Sequence, residues 1–336
     1  MTMSNALYAP LTASAMAFLV SSLLTAGVLN YARRVHLVDQ PGYRRSHMLP
    51  TPRGGGLAFV VVQLCFVVWA VIQGSPWLGL LLGLGAVAFI GFVDDHHPLT
   101  ARLRLLVHLL GAGLTLGLLG SPWLSLTCVA VAVVWIVAMT NAWNFMDGIN
   151  GIASVNAMVA FLAYGLVGWI DGRTDVSTLS LIALGATAGF VPFNFPRAQL
   201  FMGDVGSGSL GFLLAVNVLL LWNGDVSSVP VLLFPVLGMV ADAGLTLAFR
   251  VLSGRRWYVA HREHLYQWMV RSGYSHAQVV MAFVGFSLVV ALPHMLVAWH
   301  IPSLSFPALI SAMLIASGLW FGGKRHCLAR LRCRPT

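Results

Sequence analysis

Charge is what this 336-residue sequence has least of. Only 9% of its residues are Asp, Glu, Lys or Arg, against about 25% in a soluble domain. With 58% hydrophobic residues, that composition excludes an ordinary soluble enzyme. Lysine is almost missing, since Lys324 stands alone among nineteen basic residues, and acids are scarcer than bases, ten in all, leaving a formal charge of +9. The four cysteines, Cys65, Cys128, Cys327 and Cys333, show no disulfide framework. The first two fall in apolar runs, where Cys behaves as a small hydrophobe. No charged n-region precedes the first apolar stretch, which reads as a retained spanning helix rather than a cleaved signal peptide. Nor is there an internal repeat of the kind many transporters carry.

What the chain has instead is long apolar runs. A spanning helix needs about 20 mostly apolar residues. That ruler predicts spans near 11–30, 56–73, 77–93, 105–119, 123–140, 152–170, 178–194, 208–222, 230–250, 276–298 and 303–322. The fold class expected is therefore all-α: a polytopic membrane protein with eleven helices, or ten if one is re-entrant. Residues 1–336 form a single membrane domain, with 323–336 as a basic tail. Short, weakly charged connections alternate with longer loops at 31–54, 94–104, 141–151, 195–207 and 251–275. Every basic residue except Arg173 falls in those longer loops, at their edges or in the tail. The positive-inside rule then puts the loops and the C-terminus in the cytoplasm and the N-terminus outside. So sided an excess of charge argues against nucleic acid as the partner.

The acids gather on the same side: Asp39, Asp94, Asp95, Asp147, Asp204 and Glu263, with Asp242 inside the ninth span. Asp94 and Asp95 close the third span, at a helix end that already carries partial negative charge. Two carboxylates there call for a divalent metal or a shared proton. Asp204 sits in the run Phe201-Met-Gly-Asp-Val-Gly-Ser-Gly-Ser209, read as a Gly/Ser-rich turn opening the eighth span. Its free N–H groups suit a phosphate while the acid binds the neutralising Mg²⁺. Asn141, Asn144, Asp147 and Asn150 recur every three residues, which on a helical turn aligns them along roughly one face. Such amides and carboxylates suit a hydrated metal or the edge of a base and ribose. His261, Arg262 and His264 lie in the basic fifth loop with no third zinc ligand evident, a set suited to gripping a diphosphate. Arg44, Arg45, His47 and Arg53, among prolines and glycines, form a basic loop that holds a lipid phosphate or merely enforces topology. Asp242 is read equally as functional or as a structural link to a neighbouring helix.

Five stretches, one per long loop, resemble the polyprenyl-phosphate N-acetylhexosamine-1-phosphate transferases (bacterial glycosyltransferase family 4). They are Asp39-x-Pro…Ser-His47…Pro-Thr-Pro-Arg-Gly-Gly55, Val93-Asp-Asp95, Asn144-Phe-Met-Asp-Gly-Ile-Asn-Gly151, Phe201-Met-Gly-Asp-Val-Gly-Ser207 and His261-Arg-Glu-His-Leu-Tyr-Gln267. The resemblance implies transfer of an N-acetylated hexosamine 1-phosphate from a UDP-N-acetylhexosamine to undecaprenyl phosphate. UMP is released, on the cytoplasmic face of a bacterial inner membrane. It implies Mg²⁺, with Mn²⁺ as an alternative, held by Asp204 and Asn144, and Asp94 or Asp95 engaging the lipid phosphate. Asp147 and Asn150 would lie near the uridine, and His261, Arg262 and His264 on phosphates. The compact loops resemble the branch that initiates O-antigen or related surface glycans more than the muramoyl-pentapeptide branch. Homodimers occur in the family. Position 150 is Asn where many members have Asp, and the fifth loop lacks a denser histidine cluster. A secondary transporter or lipid flippase is the rival class. It predicts acids near the midplane of several spans, whereas this sequence loads one face.

Overall fold

The computed structural model describes residues 3–40, 49–119, 125–256, 259 and 261–333. Helix follows helix: α1 Met3–Arg34, α2 Gly56–Ile72, α3 Leu78–His96, α4 Ala101–Leu119, α5 Leu126–Met146, α6 Ile152–Ile170, α7 Thr174–Asn194 and α8 Asp204–Leu221. Then come α9 Val229–Leu233 and α10 Leu237–Leu252, joined by single 3₁₀ turns into one span. The short α11 Leu265–Arg271 precedes α12 His276–Phe286, α13 Leu292–His300 and α14 Ser305–Arg332. Between α12 and α13 a π-turn at Ser287–Ala291 keeps the chain helical up to Pro293, whose ring and missing N–H would break a regular ladder.

Among the described residues, ten helical segments are long and apolar enough to cross a membrane. The protein is an all-α, multi-pass membrane protein. The remaining expected span, α2, has 17 residues. At 1.5 Å per residue it reaches roughly 26 Å, just short of a hydrocarbon core of about 30 Å. Several helices outrun their apolar stretches. α4 begins at Ala101, α5 runs on through Asn141 and Asn144, and α14 continues to Arg332. A helix keeps its backbone hydrogen bonds where the side chains turn polar, so hydropathy marks the lipid-facing part and not the helix. Residues 323–332 of the basic tail are accordingly the last turns of α14, where Lys324 Nζ lies 3.8 Å from the Phe249 ring centroid and 4.7 Å from that of Trp320, within cation–π range.

α8 is the hub. Nearly every residue in it is buried, packed against α5, α3, α6 and α2. A Cβ on Gly56 would overlap the Cα of Gly206, and one on Gly91 would come 2.6 Å from the carbonyl oxygen of Asp204. Glycine thus lets α2 and α3 approach the start of α8 backbone to backbone, as small residues do inside membranes. The outer surface carries exposed Leu23, Phe89, Val289 and Leu314, the apolar exterior a lipid-facing bundle requires.

Candidate active site

The long loops meet at one end of the bundle. A two-residue antiparallel pairing joins Val38–Asp39 to Thr51–Pro52. The chain after it is stitched to the start of α8, with Gly55 and Gly56 N–H donating to the Phe201 and Met202 carbonyls at 2.9 and 2.8 Å. Asn194 at the end of α7 accepts from Gly151 N–H at 2.8 Å, and Asn150 Nδ2 donates to the Pro196 carbonyl at 3.1 Å. The N–H of Asn150 also donates to Nδ1 of His276, the first residue of α12, at 3.3 Å. α11 closes the far side, where Tyr266 Oη donates to the Phe145 carbonyl at 3.1 Å.

Between these loops lies a cavity of about 280 Å³ lined by Asp39, Arg53, Asp95, Asn144, Asp147, Asn150, Asp204, Ser207, Gln267 and His276, among others. Of the expected site residues, six share this wall: Arg53, Asp95, Asn144, Asp147, Asn150 and Asp204. Asp94 borders it through Arg104, whose Nη1 donates to Asp94 Oδ2 at 2.9 Å and to Asp204 Oδ2 at 2.6 Å. One guanidinium nitrogen therefore marks the point where two carboxylates from different helices converge.

Asp95 is committed elsewhere. It is 1% exposed, and its two carboxylate oxygens accept the backbone N–H groups of Asp204 and Val205 at 3.0 and 3.2 Å, while Arg53 Nη2 donates to its carbonyl. An acid at the end of α3 thus caps the start of α8. This corrects the expectation that the N–H groups opening α8 are free to hold a phosphate: Asp95 already takes two of them. The Gly/Ser run is likewise helix from Asp204 onward, and its Gly206 serves close packing. Only Gly203, at φ +77°, makes the turn, and a Cβ there would strike the Asp95 carboxylate.

Asn141 does not reach the cavity wall. It lies deeper in α5, donating from Nδ2 to the Val137 carbonyl at 2.7 Å and contacting His108 Nδ1 of α4 at 3.3 Å. His261, Arg262 and His264 do not line the cavity either; within that loop the lining residue is Gln267. The rings of His261 and His264 sit 5.0 Å apart. Each is held down at about 4, chiefly by burial, so at neutral pH both are uncharged imidazoles, not cationic clamps. Glu263 anchors the loop by accepting from Arg250 at 2.5 Å and Arg255 at 2.9 Å. His47, with Arg44 and Arg45, lies outside the described residues.

Sequence reasoning did not single out Arg104, Asn194 or His276, whereas Ser207 closes a motif already noted. Arg104 reads as one more positive-inside charge, and only the packing of α4 against α3 turns it toward the two acids. Asp39 and Gln267 stand within motifs already noted, so the motif boundaries were a signal for them.

The acids around the cavity burden one another. Asp147 is pushed up to about 7, first by burial and then by the charges of Asp204 and Asp95. That crowd of negative charge fits a divalent cation. Hard carboxylate oxygens of Asp94 and Asp204 converge within reach of one atom, and Asn144, whose Nδ2 donates to Ser207 Oγ at 3.1 Å, shares the wall. No group of three or more His, Cys, Asp or Glu able to hold a metal occurs among the described residues. Mg²⁺ does not demand one, since it usually binds through one or two carboxylates and completes its shell with water and substrate phosphate.

The profile of Glycosyl transferase family 4 matches residues 77–222, from the residue before α3 to the one after α8. A protein of Lacticaseibacillus paracasei, phospho-N-acetylmuramoyl-pentapeptide-transferase, is 31% identical over 226 residues, covering 59% of this chain and 70% of its own. This chain belongs to glycosyl transferase family 4. It is a transferase of the polyprenyl-phosphate hexosamine-1-phosphate class that its loop motifs resemble. A Bacillus subtilis protein named as a probable undecaprenyl-phosphate N-acetylglucosaminyl 1-phosphate transferase is 27% identical over 292 residues, 81% of this chain and 82% of its own. The undecaprenyl-phosphate alpha-N-acetylglucosaminyl 1-phosphate transferase of Escherichia coli K12 is 28% identical over 305 residues, 82% and 79% of the two chains. The matched segment α3–α8 holds Asp94, Asp95, Arg104, Asn144, Asp147 and Asp204.

Proposed function

We propose that this protein transfers an N-acetylhexosamine 1-phosphate from a UDP-sugar to undecaprenyl phosphate, yielding the undecaprenyl-diphosphate sugar and UMP. We place the site on the cytoplasmic face of a bacterial inner membrane. The observation that carries the reading is the convergence of Asp94 and Asp204 on the Arg104 guanidinium beside a cavity walled by Asp95, Asn144, Asp147 and Asp204. A charged donor reaches such a cavity from water while the acceptor's tail stays in lipid. The orientation rests on the distribution of basic residues, all but Arg173 at the site end or in the tail.

In this reading an oxygen of the acceptor phosphate, already ionised at neutral pH, attacks the sugar-bearing phosphorus directly. The bond from that phosphorus to the UMP oxygen breaks. Asp204, with Asn144 and the adjacent Asp94, would hold Mg²⁺ (or Mn²⁺). A divalent ion bound there offsets the charge of the diphosphate. Arg104 supplies a fixed positive charge where phosphoryl oxygens gather. We assign Asp94 to the acceptor phosphate: its Oδ2 meets the Arg104 guanidinium and its Oδ1 a loop N–H, that of Leu99, whereas both oxygens of Asp95 are taken by the backbone opening α8. Asp147, Asn150, Gln267 and His276 form the donor side of the wall. The two undecaprenyl-phosphate relatives match most of this chain, whereas the muramoyl-pentapeptide relative matches 59% of it. That difference favours the undecaprenyl-phosphate sugar branch over the muramoyl-pentapeptide one; within it, our reading is initiation of O-antigen or a related surface glycan, with N-acetylglucosamine or a 6-deoxy relative as the sugar.

Purified protein with Mg²⁺, undecaprenyl phosphate and a panel of radiolabelled UDP-N-acetylhexosamines tests this. A lipid-linked sugar phosphate and stoichiometric UMP are expected from at least one donor, with activity lost on chelation. Folded protein that makes no product from any donor, beside a working control enzyme, removes the proposal.

A further inference from the structure

Asp242 takes no part in the chemistry above, yet it is among the most heavily bonded side chains in the protein. It sits in α10, 3% exposed. Its Oδ1 accepts from Leu265 N–H at 2.8 Å, Trp320 Nε1–H at 3.0 Å and Thr246 Oγ1–H at 3.2 Å. Oδ2 accepts from Tyr266 N–H at 3.3 Å. One carboxylate thereby ties α10 to α11 and α14. Among the described residues its one ion-pair contact is His264 Nδ1, 4.0 Å away and held neutral by burial. An unpaired carboxylate is an expensive way to pack helices, and an apolar side chain would join α10 to α14 more cheaply. What the carboxylate adds is two aimed acceptors for the backbone of Leu265 and Tyr266.

That backbone leads to the cavity. Tyr266 is fully buried, donates from Oη to the Phe145 carbonyl at 3.1 Å and accepts from Gln267 Nε2 at 3.0 Å. Its ring lies against Gly148, where an added Cβ would come 2.9 Å from Tyr266 Cζ. Gln267 and Gly148 both line the cavity beside Asp147. The connection runs from Asp242 through the first residues of α11 to the turn 147–150, with a direct contact at each step.

We propose that Asp242 is a positioning residue for the nucleotide-sugar donor: it docks α11 so that Tyr266 and Gln267 hold the Asp147–Asn150 turn in place. The inference rests on the donor-site reading given above. Asp242→Ala, Asp242→Asn and Tyr266→Phe, each in the full chain in detergent, test it through two independent readouts. In hydrogen exchange, the Leu265 and Tyr266 amides are expected to be protected in the wild type and to lose about tenfold or more of that protection in Asp242→Ala, with a smaller loss in Asp242→Asn. In steady-state transfer, KM for the UDP-sugar should rise about tenfold in Asp242→Ala while KM for undecaprenyl phosphate stays within about twofold. Tyr266→Phe, which keeps the packing and drops the bond to Phe145, should shift the same KM in the same direction.

Unchanged exchange at Leu265 and Tyr266 in a folded Asp242→Ala overturns the docking. Changed exchange with both KM values unmoved, or moved equally, overturns the positioning role. If Asp242→Ala does not fold, Asp242→Asn and Tyr266→Phe are judged by the same criteria. A wild-type enzyme that transfers from no donor sinks the functional reading and the donor role with it, while the exchange experiment still decides the docking.

Discussion

Replacing Asp95 by Asn should loosen the start of α8 and so separate the two adjacent acids by role. The wild-type carboxylate gives one oxygen to Asp204 N–H and the other to Val205 N–H. An Asn side chain of the same shape keeps one acceptor and turns an NH₂ group toward the second N–H. The loss is one charge-assisted hydrogen bond, worth about 1.5–3 kcal/mol, plus the penalty of a buried donor left unpaired. Relief of repulsion among neighbouring acids offsets part of this, so a net destabilisation of about 2 kcal/mol is expected, roughly a thirtyfold fall in the folded-to-unfolded ratio. Asp95→Ala, which removes both acceptors, should cost more. The assay is equilibrium unfolding in mixed micelles, followed by tryptophan fluorescence, with hydrogen exchange at the Asp204 and Val205 amides alongside. Asp94→Asn is the comparison: it disturbs its own bonds to Leu99 N–H and Arg104 but leaves the α8 amides capped, so it should lose transfer while Asp204 and Val205 exchange stays at the wild-type rate. Wild-type stability and wild-type exchange in Asp95→Asn would refute the capping role and return Asp95 to the chemistry.

Two further expectations follow from the same geometry. Arg104→Gln removes the positive charge shared by Asp94 and Asp204 and should lower kcat by about 10²–10³ with the fold retained. Arg104→Lys should recover only part, because an ammonium can replace the one nitrogen that meets both acids but leaves no second nitrogen for a phosphate, and near-normal turnover in Arg104→Gln would exclude it from phosphate contact. His264 should also make a pH-dependent contribution to stability, opposed in the same range by Asp147, which is raised to about 7. His264 is held at about 4 in the folded chain against an ordinary value of 6.5, so between those values the unfolded state binds more protons. The stability it contributes is complete above about pH 6.5 and declines as pH falls toward 4, by on the order of 3 kcal/mol. His264→Gln should remove that contribution, and a stability difference between wild type and His264→Gln that does not change between pH 7 and 5 would contradict the assignment.

Hydropathy and charge placement are enough to find the helical bundle and the end of it that holds the candidate site. Helix formation inside a bilayer is dictated locally, because each backbone N–H must find a partner within its own segment. Long apolar runs therefore translate almost directly into α1 and α3–α8, with α2 close behind. The rare acids beside Gly and Asn marked the cavity for a related reason: charge at a membrane boundary is costly and needs a cause. What those acids do depended on contacts between residues far apart in the chain. Asp94 and Asp95 are neighbours, but a helix points consecutive side chains in different directions, so one turns toward Arg104 and the other caps α8. Arg104 looked like a topology signal until α4 folded back against α3. Asp242 had two equal readings, and only the return of α11 and α14 to α10 showed its carboxylate receiving four donors. Local sequence determines which segments become helices; the partner a buried polar group finds is settled only when those helices pack.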